Sequence, residues 1–218
     1  MIALIRFRLS TLLHSQRYLP PALLFLAVLA VGTINSSGPL LPVYALCAGA
    51  LFLSAAGLTV ALANIEGPEH RAITVVNAGG SRGPLVATIA VALAGCVVLT
   101  VVGLLLPLAW GTHSPTAAEL AVGVGAQLIC ACAGVGIGLL CSRLVITRPG
   151  YSLLTALALV LLILLAPAIP PVNPVLRLLS SGRGPHELLW PLLGFAAVAI
   201  AALAVSAVLT QRLPARRT

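Results

Sequence analysis

Aspartate and lysine are both missing from this 218-residue chain, and charged residues of every kind make up only 7% of it. A soluble domain carries about 25% charged residues. This sequence has too little charge to coat a globule, so lipid must be the solvent for most of it. Without Asp, the metal, phosphate and paired-acid chemistry of many membrane enzymes has no ligands. The only acids are Glu66, Glu69, Glu119 and Glu187. Cysteine is scarce and odd in number: Cys47, Cys96, Cys130, Cys132 and Cys141 all fall inside apolar stretches. Neither a disulfide framework nor a metal site follows from them, and they read as small packing residues. A phosphate-binding loop of the form G-x-x-x-x-G-K-S/T is absent too, so ATP has no such cradle in this chain.

Hydrophobic residues make up 60%, and all twelve bases are arginine. The net charge of +8 would suggest nucleic acid in a soluble protein. Beside apolar spans, arginine instead fixes membrane orientation, so no nucleic-acid partner is expected. An arginine-only set with abundant Ala, Leu, Gly and Pro is what a high-GC bacterial genome encodes. The expected place is a bacterial plasma membrane, and the expected class an all-α, multi-pass integral membrane protein.

The forty-eight residues between Arg17 and Glu66 contain no charge, too many for one span and enough for two. The turn signal Asn35-Ser36-Ser37-Gly38-Pro39 divides them. Six spans are expected at Pro20–Ser36, Leu40–Asn64, Pro84–Ala109, Thr116–Cys141, Tyr151–Pro167 and Leu188–Thr210, within one domain over 1–218. With both termini inside, Arg6, Arg8, Arg17, Arg71, Arg82, Arg143, Arg148, Arg212, Arg216 and Arg217 are cytoplasmic, while Arg177 and Arg183 are outside. The asymmetry supports both count and orientation. A cleaved leader is the competing reading of the N-terminus, but no clean small-x-small site follows the first span, which is expected to stay.

Residues 1–18 carry Arg6, Ser10, His14 and Arg17 along one helical face, with Ile2, Ile5, Leu9, Leu12 and Leu13 over much of the rest. That predicts an amphipathic helix at the membrane surface, in contact with lipid headgroups. Between spans two and three, residues 66–80 predict a second amphipathic helix. Gly67-Pro68 starts it, Glu69 sits in its first turn, and Gly79-Gly80 stops it. Ala72, Ile73, Val75 and Val76 share one arc, and His70, Arg71, Thr74 and Asn77 the other. Gly79-Gly80-Ser81-Arg82-Gly83 matches the nucleophile elbow in letters only, because the strand that motif requires is missing. No catalytic residue is assigned and the chain is not expected to be an enzyme.

In span four, Ala126, Cys130, Gly134 and Gly138 recur every four residues, a small-residue ridge that admits another helix closely. It predicts either an internal contact or the seam of a dimer. Gln127 is the one amide in mid-span; an interhelical hydrogen bond is its first expectation and a cargo contact its second. The segment 168–187, with Pro170, Pro171 and Pro174 before Val175-Leu176-Arg177-Leu178-Leu179, predicts an external re-entrant or interfacial helix.

An inner-surface N-terminal helix, six spans, an amphipathic helix with Glu66-Gly-Pro-Glu-His-Arg71 between spans two and three, and a helical excursion before span six together resemble the permease subunit of ABC-2-type exporters. The resemblance implies that the helix over 66–80 is a coupling helix seated on a separate ABC ATPase. Glu66, Glu69, His70, Arg71, Thr74 and Asn77 would make that contact, with Arg143 and Arg148 of the next cytoplasmic loop as the second. It also implies a second permease chain, the same or a sister. This chain would hold no cofactor, ATP and magnesium residing in the partner. Few polar residues line the spans, so an amphipathic or lipid-like cargo is expected, a peptide or antibiotic included. The alternatives are a membrane-embedded substrate-binding subunit of an energy-coupling-factor importer and a non-transporting structural subunit. The former docks through small residues four apart on span one, where this chain has no Ala-x-x-x-Ala. A secondary transporter would want ionisable groups at mid-membrane, and the spans offer none.

Overall fold

The computed structural model describes residues 2–34, 39–65, 80, 82–110, 116–142, 149–166, 171–182 and 184–212, and the regular elements among them are all helices. They are α1 (Ile2–Ser15), α2 (Leu19–Ile34), α3 (Leu40–Ala63), α4 (Arg82–Trp110), α5 (Ala117–Leu140), α6 (Pro149–Leu165), α7 (Val172–Ser180) and α8 (Pro185–Arg212).

Local chemistry explains where they begin. α1 and α2 meet at 73°, through a corner in which Gln16 takes a positive φ of 52°. Pro20 and Pro21 then fall in the first turn of α2, where a missing N–H costs no helical bond. α5 starts from a reciprocal cap: the Thr116 N–H donates to Glu119 Oε2 at 2.9 Å, and the Glu119 N–H donates to Thr116 Oγ1 at 3.3 Å. α8 begins at Pro185, ahead of the expected Leu188, because proline suits the first helical position. Glu187 in its first turn and Arg212 in its last both complement the helix dipole.

Among the described residues, four helices are long and apolar enough to cross a membrane: α3, α4, α5 and α8. Counting α1 with α2 as one bent span makes five. Apolar run lengths predict six, and the difference lies in α2 and α6. At 16 and 17 residues they reach only about 24–26 Å, against a hydrocarbon core of about 30 Å.

Contacts at glycine give the relative directions of α2, α3, α5 and α8. Along α5, Gly123 meets Tyr44, Gly134 meets Ala55 and Gly138 meets Thr59 of α3, so partner numbers rise together and the two helices run parallel. Gly125 against Leu192 and Gly136 against Leu203 make α8 parallel to α5 as well. Gly32 meets Leu46 and Gly57 meets Pro21, which sets α2 antiparallel to α3. α3 and α5 share the most extensive contact in the molecule and are mostly buried, whereas α4 and α8 turn most of their surface outward.

α7 lies across α3, with Leu176 close to Gly49 and Val172, Asn173, Val175 and Leu179 buried. The Asn173 side chain donates to the carbonyls of Ile163, at 2.6 Å, and Ala166. It thereby closes the last turn of α6, whose final carbonyls have no partner within their own helix.

Candidate functional site

Two regions hold polar side chains against the apolar scaffold. The first is a junction at one end of the bundle. Arg17, just past α1, donates from Nη1 to the Asn64 carbonyl at 3.2 Å. Asn64 is the C-cap of α3, so a guanidinium meets the negative end of that helix dipole. The Asn64 side-chain amide reaches Ser152 Oγ of α6 at 3.5 Å, and the fully buried Ser152 donates in turn to the carbonyl of Cys141, the C-cap of α5. Next to Cys141, Ser142 is closed on itself through the Leu139 carbonyl at 2.6 Å. The C-termini of α3 and α5, the start of α6 and the α1–α2 corner are thus tied together. α1 adds apolar contact there, Leu12 sharing a core with Leu62 of α3 and Leu85 of α4.

Residues 66–79 follow Ile65 in the chain, and residues 143–148 follow Ser142, both next to this junction. Glu66, Glu69, His70, Arg71, Thr74, Asn77, Arg143 and Arg148 belong to those segments and lie outside the described residues, as does Ser81. On α1, Arg6, Ser10 and His14 are exposed on the side away from Leu12, and Arg17 is exposed at the corner. Phe7, Leu9 and Leu13 flank that polar strip and are exposed too. Arg8, counted from sequence among the cytoplasmic arginines, is 6% exposed on the protein-facing side of α1.

The second region is the interior where α4 meets α5 and α3. Of the two readings open for the ridge Ala126, Cys130, Gly134 and Gly138, the structure has the internal contact. A Cβ on Gly134 would come within 2.5 Å of the Phe52 carbonyl oxygen, and one on Gly138 within 2.6 Å of Thr59 Cβ. Ala126 and Cys130 are fully buried in the same core. The ridge is therefore unavailable as a seam between two chains.

Gln127 departs from its first expectation. It is fully buried, yet neither Oε1 nor Nε2 has a hydrogen-bond partner. The residue opposite it is Gly103 of α4, where the amide and the Phe25 ring take the room that a side chain would need. The buried hydroxyls of Tyr44, Ser54 and Thr100 are likewise without partners. Elsewhere the spans close their hydroxyls on the carbonyl one turn back: Thr59 on Ala55 at 2.8 Å, Thr88 on Pro84 at 2.9 Å and Thr210 on Ser206 at 2.6 Å. An unmade hydrogen bond at a buried group costs about 1–3 kcal/mol, and hydrocarbon supplies no replacement. Sequence reading found Gln127 by its position in a span but missed Tyr44, Thr100, Asn173 and Ser152. The available signal was the same for all four: a polar side chain inside or beside an apolar run.

Among the described residues, no group of three or more His, Cys or acidic side chains could hold a metal ion. Comparison with models of known families, with curated proteins and with solved structures finds no match for this chain.

Proposed function

We propose that the chain is the membrane-spanning permease subunit of an ABC-2-type exporter, lying in a bacterial plasma membrane with six crossings and both termini cytoplasmic. A separate ABC ATPase supplies the energy, and a second permease chain completes the route. The observation that carries this reading is the junction Arg17–Asn64–Ser152–Cys141, which gathers the departure points of residues 66–79 and 143–148 at one end of the bundle. Two segments that start from one hydrogen-bonded base could offer a partner one continuous surface, and a push on either would reach α3, α5 and α6 together.

The helix directions support six crossings. α5 and α8 run parallel, so the chain must return between them, and α6 is the helix that spans most of that height. α1 then serves as the surface helix, its polar strip toward lipid headgroups and its other face on α4. α7 serves as the outer excursion, held down by Asn173.

The test is the double substitution Arg71→Glu with His70→Ala. A charged contact of this kind is worth a few kcal/mol, because its loss leaves a partner unpaired. Co-purification of the ATPase and cargo-stimulated ATP hydrolysis in reconstituted membranes should both fall, while insertion and thermal stability hold. Full coupling in the double mutant would remove the exporter reading.

A further inference from the structure

The carboxamide of Gln127 has a free donor and a free acceptor, side by side, in the interior of the bundle. A Cβ added to Gly103 would stand 2.9 Å from Oε1, 3.1 Å from Phe25 Cζ and 3.4 Å from Nε2, so the amide faces glycine backbone beside the Phe25 ring, neither of which pairs with it. Two more unpartnered groups lie within a turn of this point. Tyr44, 0% exposed, packs its ring on Gly123 one turn before Gln127, and Thr100, 4% exposed, precedes Gly103 on α4. Three helices thus carry unused hydrogen-bonding groups on neighbouring turns, Tyr44 to one side of Gln127 and Thr100 to the other, in a molecule that otherwise satisfies most of its described span hydroxyls internally.

We infer that the α4–α5 seam at Gln127 is the recognition point for one residue of an extended apolar peptide. This rests on the exporter reading and narrows its cargo class. In an extended residue the N–H and C=O project to the same side, as in the paired bonds of an antiparallel ladder. Gln127 Oε1 can therefore accept from that N–H while Nε2 donates to that C=O. A lipid ester carries acceptors alone and would leave Oε1 unpaired, so the donor–acceptor pair favours a peptide over a lipid. α4 packs on α5 far less extensively than α3 does. With no side chain at Gly103, α4 is the wall that gives way to admit a backbone.

The experiment uses the whole chain alone in lipid nanodiscs, so it does not depend on ATPase docking. Glutamine occurs only at Gln16, Gln127 and Gln211, so nitrogen-15 labelling of glutamine gives three side-chain signals, and Gln127→Leu assigns one of them. The probe is a short acetylated, amidated peptide of alternating leucine and alanine, with analogues in which each N–H in turn is replaced by an ester oxygen. The Gln127 signal should shift on titration with the amide peptide. One ester analogue should bind on the order of tenfold more weakly than the rest, and Gln127→Leu should lose at least as much. The same variant should keep or raise the thermal midpoint, since it removes unpaired polar atoms from the core. A signal unmoved by peptide, a shift produced by phosphatidylglycerol alone, or equal binding by Gln127→Leu would each overturn the proposal. So would a lowered midpoint in Gln127→Leu, which would mean that the amide already has its partner inside the bundle. Full ATPase docking and coupling in Arg71→Glu with His70→Ala, with peptide binding intact, would overturn the exporter reading and leave the site standing.

Discussion

A missing methyl group decides more in this molecule than any charge. Gly134 and Gly138 let α5 lie directly on the backbone of α3; a side chain at either would press on the Phe52 or Ala56 carbonyl oxygen, at 2.5 and 2.7 Å. Neither obstacle is the flexible end of a side chain. Gly134→Ala and Gly138→Ala should therefore each lower stability by about 1–3 kcal/mol, read as thermal unfolding in detergent. Gly194→Ala in α8, where a Cβ would meet nothing within 4 Å, should be neutral or stabilising by up to about 1 kcal/mol through helix propensity. Equal effects at all three glycines would contradict the close contact. The small-residue spacing was legible in the sequence, but its partner was not: the same ridge serves a neighbour in the same chain or in another. For Gln127 the limit was of the same kind, because whether an amide finds a partner depends on the residue opposite, and Gly103 carries no trace of that role in its own neighbourhood.

Helices announced themselves by charge-free length and by turn residues, since both follow from the cost of charge and of bare backbone in lipid. Their angles and attachments did not. The corner at Gln16 depends on a positive φ that glutamine does not advertise, and α7 holds its place through Asn173, a single polar residue beside a run of prolines. Asn173→Ala should free the Ile163 and Ala166 carbonyls and loosen α7 from α3, at a cost of about 1–3 kcal/mol. With Val175→Cys as reporter, at a position now fully buried, the thiol should label slowly in the parent and several-fold faster once Asn173 is replaced. Unchanged labelling would show that α7 is held by apolar packing alone. Cys47, Cys96, Cys130 and Cys141 are buried, so replacing the half-buried Cys132 by Ala keeps the background of such labelling low.

At the scale of the whole molecule, membrane orientation is the first quantity to measure. Single cysteines at Ser37, His113 and Gly182 should label from outside, and those at Ser81 and Thr147 only from the cytoplasm. One reversal among the five would remove the six-crossing arrangement. The parallel course of α3 and α5 has a further consequence, for the order in which the protein is made. Parallel helices cannot be consecutive crossings, so α4 must be synthesised and inserted before α5 can reach its place. Until the ribosome has passed Gly138, the face of α3 formed by Ala55, Ala56 and Thr59 lacks the helix that packs closest to it. The tightest contact of the finished protein therefore closes late in synthesis. A nascent chain halted between α4 and α5 would be a membrane-inserted protein without its core, and a natural substrate for quality control.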